Sequence, residues 1–279
     1  MADTPAGFRR LERFYGEMTS VDAVLRGLAR EGAPGKVSAA DLYTRSLDVQ
    51  NLGGFAMLER IAALAAEQAP PGAASRLVDV GCGVGGPGRY LADRFGCSVT
   101  GIDLLPQRIQ AAAALTQMVG LAERVTYRQA DATDLPFADG AFDQAWMLDA
   151  SVHMPDKAAL FREIARVLKA HGLLVMHDHF GPLPPSMRPV TRRAPYIAPS
   201  LAQMVRYVEA GGFRLLLWQD TTAAIRQWFE ERRPEVVRRS QEGRGDRRRL
   251  QRRLAPFKAY TAALEEGMRT GVLIARRAG

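Results

Sequence analysis

The chain has few cysteines and lacks long apolar runs, and both features restrict where it works. Only two of its 279 residues are cysteines, Cys82 and Cys97. Without nearby cysteine or histidine partners they form neither a disulfide framework nor a zinc site, so we expect reduced thiols. No run approaches the roughly 18 to 20 apolar residues that span a bilayer, and the charged start is unlike a signal peptide. These features predict a cytoplasmic protein with no membrane span.

The net charge of +8 is concentrated in one arginine-rich segment, residues 230–258. Apolar residues recur there at helical spacing on both sides of Gly243 and Gly245, which predicts two amphipathic helices with an arginine-rich solvent face. A patch that binds nucleic acid or an acidic lipid is the alternative. We favour the solvated face, because charge runs on helices are usually exposed and the sequence contains no appended RNA-binding module.

The order of elements predicts an α/β fold. Residues 1–70 are typical of helices, whereas from residue 76 onward short β-branched runs alternate with helical stretches. This alternation indicates right-handed crossovers and a mostly parallel, doubly wound sheet, here of seven strands, with helices on both faces. We therefore expect a helical N-terminal extension at 1–70 and one α/β domain at 71–279. Ligands of such sheets bind at the carboxyl ends of the strands.

Three features in series mark these strand ends. The run VDVGCGVGG follows the first strand and opens a helix, and its Gly81, Gly83 and Gly85 let backbone approach a ligand closely. Asp103 ends the second strand, where an acid can bind both ribose hydroxyls, and Asp131 follows the third, where an acid can accept from an adenine amino group. A lone aspartate at either place would be a turn residue. Together the three features predict an adenosine pocket without a pyrophosphate.

With these motifs the chain resembles the class I S-adenosylmethionine-dependent methyltransferases. It is most similar to the small-molecule branch that includes glycine/sarcosine N-methyltransferases, tocopherol-type C-methyltransferases and natural-product methyltransferases. The resemblance covers roughly residues 40–279. It lies in the segments VDVGCGVGGPGRYLA, GIDLLPQRI, DATDLPFADGAFDQAW, HMPDKAALFREIARVLKAHGLLV and YTAALEEGMRTGVLIARR. The resemblance implies a Rossmann-like fold and S-adenosylmethionine as the cofactor.

The resemblance also implies which residues bind that cofactor. Gly81 and Gly83 would flank its methionine part, Asp103 would bind the ribose, and Leu104 and Asp131 would contact the adenine. The full implied set is Gln50, Asp79, Gly81, Cys82, Gly83, Asp103, Leu104, Asp131, Ala132, Met147 and Leu148. One departure from the family is that Asn51 stands where many relatives have a histidine, which leaves the usual closing role of that histidine open.

The methyl-acceptor side is predicted from histidines at two strand ends. His153 lies just past the fourth strand, and His177 and His179 end the fifth. We expect His153 to orient the methyl acceptor or to take its proton, since imidazole titrates near neutrality; a turn-capping histidine is the alternative. The expected acceptor-binding residues are Asn51, Asp149, His177, His179 and Tyr196. No metal is expected, because neighbouring strand side chains such as Asp178 and His179 point to opposite faces.

The resulting hypothesis is transfer of the methyl group of S-adenosylmethionine to nitrogen, carbon or oxygen of a small biosynthetic acceptor, by in-line displacement. Residues 181–199 and 222–258 are expected to cover the acceptor pocket. Two alternatives remain open: the same chemistry on nucleic acid or acidic lipid, and a non-methylating enzyme on the same fold. The sequence identifies neither the acceptor nor the oligomeric state.

Overall fold

The computed structural model describes residues 5–16, 21–30, 37–192, 194–242 and 247–279. The described residues form a seven-stranded sheet of order β3-β2-β1-β4-β5-β7-β6, in which only β7 runs antiparallel to its neighbours. The strands are β1 (Arg76–Val80), β2 (Ser98–Asp103), β3 (Val125–Gln129), β4 (Phe142–Leu148), β5 (Leu168–Phe180), β6 (Phe213–Asp220) and β7 (Arg269–Arg277). The predicted fold class and strand number are confirmed.

Helices precede the sheet and connect its strands. They are α1 (Pro5–Gly16), α2 (Val21–Arg30), α3 (Ala39–Tyr43), α4 (Gly54–Gln68), α5 (Gly86–Phe95), α6 (Pro106–Met118), α7 (Lys157–Val167), α8 (Arg188–Thr191), α9 (Leu201–Ala210), α10 (Thr222–Glu242) and α11 (Arg247–Glu265). Side-chain caps begin three of them: Ser38 forms a capping box with Asp41, Asp156 accepts from the backbone N–H of Ala159, and Ser200 forms a capping box with Gln203. Within the described ranges, none of the helices is both long and apolar enough to cross a bilayer.

The core has two layers because neighbouring strand residues point to opposite faces. On β4, Trp146 packs into the cluster with α4 and α5, and Met147 packs into the cluster with α7 and α9. Beneath the turn that follows β1, the guanidinium of Arg89 donates to the Asp48 carboxylate at 2.8 Å and to the Val84 carbonyl at 2.6 Å. Both charged side chains are fully buried, so the ion pair fixes the turn from below.

The structure adds detail to the predicted helical extension at 1–70. Its described residues form four helices, α1 to α4. Strand β5 begins at Leu168, where it pairs with Phe142 of β4. The predicted interruption at Gly243 and Gly245 lies outside the described residues.

Candidate active site

A cavity of about 420 Å³ opens at the carboxyl ends of β1, β2 and β4, beside the point where strand order reverses. We distinguish two halves by their residues. The glycine-turn half comprises Gly81, Cys82, Gly83, Asp103, Leu104, Asp131 and Ala132. The histidine half comprises Leu11, Phe14, Tyr15, Leu52, Val152, His153, Met154, His179 and Tyr260. The cavity therefore brings together all the predicted cofactor residues except Met147 and two of the three histidines predicted at this sheet edge.

The glycine turn adopts backbone conformations that other residues rarely take. Gly81, Gly83 and Gly85 have φ values of 76°, 58° and 83°, in the left-handed region that favours glycine. The backbone N–H of Gly81 donates to the Ile102 carbonyl of β2 at 2.8 Å. A Cβ atom on Gly81 would lie 2.5 Å from the Cβ atom of Ala150. The turn thus has no room for side chains, and its backbone lines the cavity.

Asp103 links this turn to the end of β2. One carboxylate oxygen accepts from the backbone N–H of Gly83 at 3.1 Å, and the other accepts from that of Leu105 at 3.0 Å. A carboxylate offers about four lone-pair sites, so each oxygen can take one more hydrogen bond. Asp103 lines the cavity with 8% of its surface exposed. It is therefore fixed in place and still able to bind a pair of ligand hydroxyls.

Arg108 is a cavity residue that the sequence reading missed. Its guanidinium donates to Oε1 of Gln50 at 2.7 Å, lies 3.5 Å from the Asp103 carboxylate and stacks 4.3 Å from the ring centroid of Tyr15. Through Asp103 and Tyr15, the Arg108 guanidinium contacts both halves of the cavity, and it lies next to Gly83. The place of Arg108 five positions after Asp103, the acid that ends β2, was a signal available in the sequence.

The remaining cofactor candidates divide into lining and buried residues. Asp131 is exposed at the rim, where one carboxylate oxygen accepts from the backbone N–H and the hydroxyl of Thr133 at 2.8 and 2.7 Å. The other predicted cofactor residues that line the cavity are Gln50, Asp79, Cys82, Leu104, Ala132 and Leu148. Burial raises the pKa of Asp79 to about 7. The expectation for Met147 is wrong for its side chain, which packs in the core on the opposite face of the sheet.

His153 lines the histidine half, but both of its ring nitrogens are engaged. Nδ1 lies 2.6 Å from the Pro195 carbonyl and Nε2 lies 2.6 Å from the Tyr15 hydroxyl. Because a carbonyl only accepts, Nδ1 carries the proton and Nε2 accepts from Tyr15. Burial lowers the pKa of His153 to about 4. Of the two predicted roles of His153, the geometry favours positioning over proton transfer.

His179 has the opposite arrangement. Its Nδ1 lies 3.3 Å from the Asp178 carboxylate, while its Nε2 is buried without a hydrogen-bond partner among the described residues. Its ring packs between Tyr196 and Tyr260, with centroid distances of 5.6 and 5.5 Å. Burial alone would lower the pKa of His179, but the hydrogen bond with Asp178 and the charges of Asp149 and Asp178 outweigh burial and raise it.

His177 is not in the cavity, contrary to its prediction as an acceptor-binding residue. Its fully buried ring lies between the Asp149 carboxylate and the Thr221 hydroxyl, each 3.0 Å from a ring nitrogen. Asp149 lines the cavity in a left-handed conformation, with φ of 53°. Its second carboxylate oxygen accepts from the backbone N–H of Leu52 at 2.6 Å. His177 thus supports Asp149 from behind.

Carboxylate oxygens of Asp149 and Asp178 and a ring nitrogen of His179 lie within 4.8 Å of one another. Strand alternation predicted that Asp178 and His179 would point apart. They meet because the Asp178 carboxylate turns back to accept from the backbone N–H of His179 at 2.8 Å, and its other oxygen accepts from the backbone N–H of Ser151 at 3.0 Å. These donors satisfy the Asp178 carboxylate, whereas Nε2 of His179 has no partner among the described residues. The expectation that no metal binds here stays a prediction.

Two predicted acceptor residues take different places. Asn51 lines the cavity, where its amide donates to the Leu52 carbonyl at 3.0 Å and its Oδ1 is buried without a hydrogen-bond partner among the described residues. Tyr196, predicted to contact the methyl acceptor, does not line the cavity and packs against the rings of His153 and His179, so its acceptor contact stays a prediction.

The enclosure comes from an unexpected part of the chain. No described residue of 181–199 or 222–258 lines the cavity; Leu11, Phe14 and Tyr15 of α1 do so instead, together with Tyr260 of α11. The spacing of the three α1 residues places them on one helix face, which is a signal the sequence contains. Residues 181–199 contact this half from outside, through the Pro195 carbonyl.

Comparison with known proteins gives a domain match. Residues 78–176 match the family model described as a methyltransferase domain. The chain is 43% identical to the chloroplastic tocopherol O-methyltransferase of Arabidopsis thaliana over 101 residues, which are 36% of this chain and 29% of that protein. The chain spans less than half the length of the curated relatives it matches.

Two solved structures share the fold over nearly the whole chain. One is geranyl diphosphate C-methyltransferase from Streptomyces coelicolor A3(2), in complex with Mg²⁺, geranyl-S-thiolodiphosphate and S-adenosyl-L-homocysteine; it is 18% identical with a TM-score of 0.73, and 100% of each chain is covered. The other is the 4+2 cyclase SpnF, 26% identical with a TM-score of 0.68, covering 96% of this chain and 95% of that one.

Proposed function

Residues 78–176 belong to the methyltransferase domain family, as the sequence resemblance predicted, and from this premise we propose that the protein transfers the methyl group of S-adenosylmethionine to a small-molecule acceptor. The observation that carries the proposal is one cavity in which a glycine turn and Asp103 face an apolar half that contains two histidines. A volume of about 420 Å³ suits a small molecule, since ligand pockets range from roughly 300 to 1,000 Å³.

The glycine-turn half fits the cofactor in chemistry as well as in shape. The Gly81 and Gly83 backbone can approach the methionine part closely, because both positions lack a side chain and adopt φ values of 76° and 58°. Asp103 would bind the two ribose hydroxyls through charge-assisted hydrogen bonds. Asp131 and the amide of Ala132 would bind the adenine edge. When bound, the cofactor supplies an electrophilic methyl group on a positively charged sulfur.

The histidine half suits a methyl acceptor with an apolar body. Leu11, Phe14, Leu52 and Tyr260 supply apolar and aromatic surface, and two of these residues come from α1. In-line displacement needs chiefly alignment of nucleophile and methyl carbon, which can contribute up to about 7 to 11 kcal/mol. Excluding water also prevents hydrolysis of the reactive methyl donor. This half would therefore position the acceptor and keep water out.

The experiment is a methyl-transfer screen. The protein is incubated with S-adenosylmethionine bearing a trideuterated methyl group and a pool of apolar hydroxyl, amine and carbon-acid metabolites, and products are detected by mass. We expect a product heavier by one labelled methyl group, formed with stoichiometric S-adenosylhomocysteine. A protein that does not bind S-adenosylhomocysteine in calorimetry would contradict the proposal.

A second candidate is a non-methylating reaction on the same fold. The observation that favours it is the 4+2 cyclase SpnF, whose chain is covered over 95% of its length at 26% identity. The screen separates the two: cofactor binding without consumption, together with an isomerised metabolite of unchanged mass, would favour the second candidate.

A further inference from the structure

The hydrogen-bond network behind His179 determines which of its ring nitrogens carries a proton. The Asp178 carboxylate accepts from the backbone N–H groups of Ser151 and His179 at 3.0 and 2.8 Å and from the Ser151 hydroxyl. Burial opposes the charge of Asp178, but the hydrogen bond and charge of the His179 side chain, then the Ser151 hydroxyl and the ammonium of Lys157, lower its pKa, so it is an ionised acceptor. Nδ1 of His179 must therefore donate to it, which leaves the lone pair on Nε2.

No described protein group donates a hydrogen bond to this lone pair on Nε2 of His179. His179 is 2% exposed, its Nε2 has no hydrogen-bond partner among the described residues, and the residue lines the cavity. Buried polar atoms are nearly always hydrogen-bonded, and the exceptions commonly have a functional reason. A ligand that donates a hydrogen bond, such as a hydroxyl, would complete this site.

The other histidines do not offer such a lone pair. Nε2 of His153 accepts from the Tyr15 hydroxyl, and both nitrogens of His177 contact protein oxygens. His171 is exposed at the opposite end of β5, next to Gly279. Among the four described histidines, His179 alone lines the cavity and combines an orienting carboxylate with an Nε2 that has no hydrogen-bond partner among the described residues. A histidine oriented by a carboxylate is the arrangement that activates nucleophiles in hydrolase triads.

We propose that His179, oriented by Asp178, is the general base of this site and that the methyl acceptor reacts through a hydroxyl oxygen. This inference rests on the proposed function. The acceptor O–H transfers its proton to Nε2, the oxygen forms a bond to the methyl carbon, and the carbon–sulfur bond breaks with its electron pair remaining on sulfur. Atoms and charge balance, because the donor loses its positive charge and His179 becomes an imidazolium.

The surroundings stabilise that imidazolium. Asp178 touches the ring directly, and the Asp149 carboxylate lies 4.0 Å from Nδ1. Three neutral groups also face this region: the tyrosines Tyr196 and Tyr260 against the ring, and His153 beyond Tyr196. The buried ammonium of Lys157 disfavours a positive charge on His179. It lies near Asp178 and donates to the Met154 carbonyl at 2.7 Å. Two nearby carboxylates against one more distant ammonium favour the protonated ring.

The first test observes the ring itself and needs no turnover. Protein labelled with ¹⁵N-histidine is titrated in the presence of S-adenosylhomocysteine, and the four histidines are assigned with single His→Asn variants. We expect His179 to show the Nδ1–H tautomer and to titrate at higher pH than His153, with Asp178→Asn lowering its midpoint. An Nε2–H tautomer at His179, or a higher midpoint at His153, would overturn the assignment.

The second test uses the acceptor found by the labelled-methyl screen. We expect an O-methyl product and, in His179→Asn, a kcat lowered about 10²- to 10⁴-fold with unchanged affinity for S-adenosylhomocysteine and loss of the limb in the pH profile that the base produces. The matched control His171→Asn retains the wild-type rate. Methylation on nitrogen or carbon, or a wild-type rate that EDTA abolishes and Mg²⁺ restores, would overturn the proposal. Absence of cofactor binding would instead contradict the proposed function, while the tautomer result stays interpretable.

Discussion

The two halves of the cavity are built in different ways. The glycine-turn half comes from consecutive strand ends between Gly81 and Ala132, where short loops carry the lining residues. The histidine half joins distant segments, as in the hydrogen bond between Tyr15 and His153, which are 138 positions apart. The first half is a local motif supported by the sheet, whereas the second exists only once α1, β5 and α11 have packed together. We therefore expect mutations to affect the two halves separately.

The largest effect is expected beneath the glycine turn. Arg89→Met should lower the free energy of unfolding by about 3 to 5 kcal/mol, because it leaves the Asp48 carboxylate buried without its cation. Chemical denaturation measures this change. The double variant Asp48→Leu with Arg89→Met should recover much of the loss, since no buried charge remains; equal instability of both variants would show that the guanidinium supports the turn by other means.

A smaller effect is expected within the turn itself. Gly81→Ala should cost about 2 to 4 kcal/mol, combining the strain of a left-handed conformation with overlap of two Cβ atoms. Gly120→Ala is the matched control, because Gly120 has a φ of 75° and open space around it. The free energies of unfolding of both variants are measured with heat and denaturant. The difference between the two losses gives the cost of the overlap between the Cβ atoms. Equal losses would mean that Ala150 moves aside freely.

In the histidine half, stability should depend on pH through His153. Its pKa in the folded protein is about 4, against roughly 6.5 when unfolded, so the unfolded chain binds the proton more readily and stability falls as pH drops from about 6.5 to 4. The contribution is on the order of 1 to 2 kcal/mol after allowance for partial exposure. Unfolding measured across this range should show a shallower decline in His153→Asn than in wild type or His171→Asn. Parallel declines in all three proteins would refute this role of His153.

The smallest effect is expected at the contact between α1 and His153. Tyr15→Phe removes one hydrogen bond of 2.6 Å, worth about 0.5 to 1.5 kcal/mol. Hydrogen exchange of α1 amides should become faster, because this bond helps hold α1 over the cavity. Tyr43→Phe, which loses a 2.7 Å hydrogen bond to Asp93 away from the cavity, should leave α1 exchange unchanged. Unaltered exchange in Tyr15→Phe would separate α1 docking from this bond.

The glycine-turn half was predictable from the sequence because its signals are local. Gly81 and Asp103 each stand at the end of a recognisable strand, and parallel strands bring such ends to one edge. Of the two residues predicted at the end of β4, Leu148 lines the cavity, whereas the Met147 side chain points to the opposite face of the sheet.

The histidine half was only partly predictable. The sequence placed His153 and His179 at one sheet edge, but hydrogen bonds from Tyr15 and Asp178 decide which ring nitrogen is available. Tyr15 belongs to a helix without a fixed place in the sheet topology. Its contact with His153 depends on tertiary packing that neither residue's local sequence specifies.

The most direct test of the account is calorimetric titration of S-adenosylhomocysteine into wild type, Asp103→Ala and His179→Asn. The account predicts one site per chain in wild type, affinity lower by about 1.5 to 3 kcal/mol in Asp103→Ala from the loss of hydrogen bonds to a charged group, and unchanged affinity in His179→Asn. Binding that is unaffected by Asp103→Ala, or weakened equally by both variants, would contradict the division of the cavity into a cofactor half and an acceptor half.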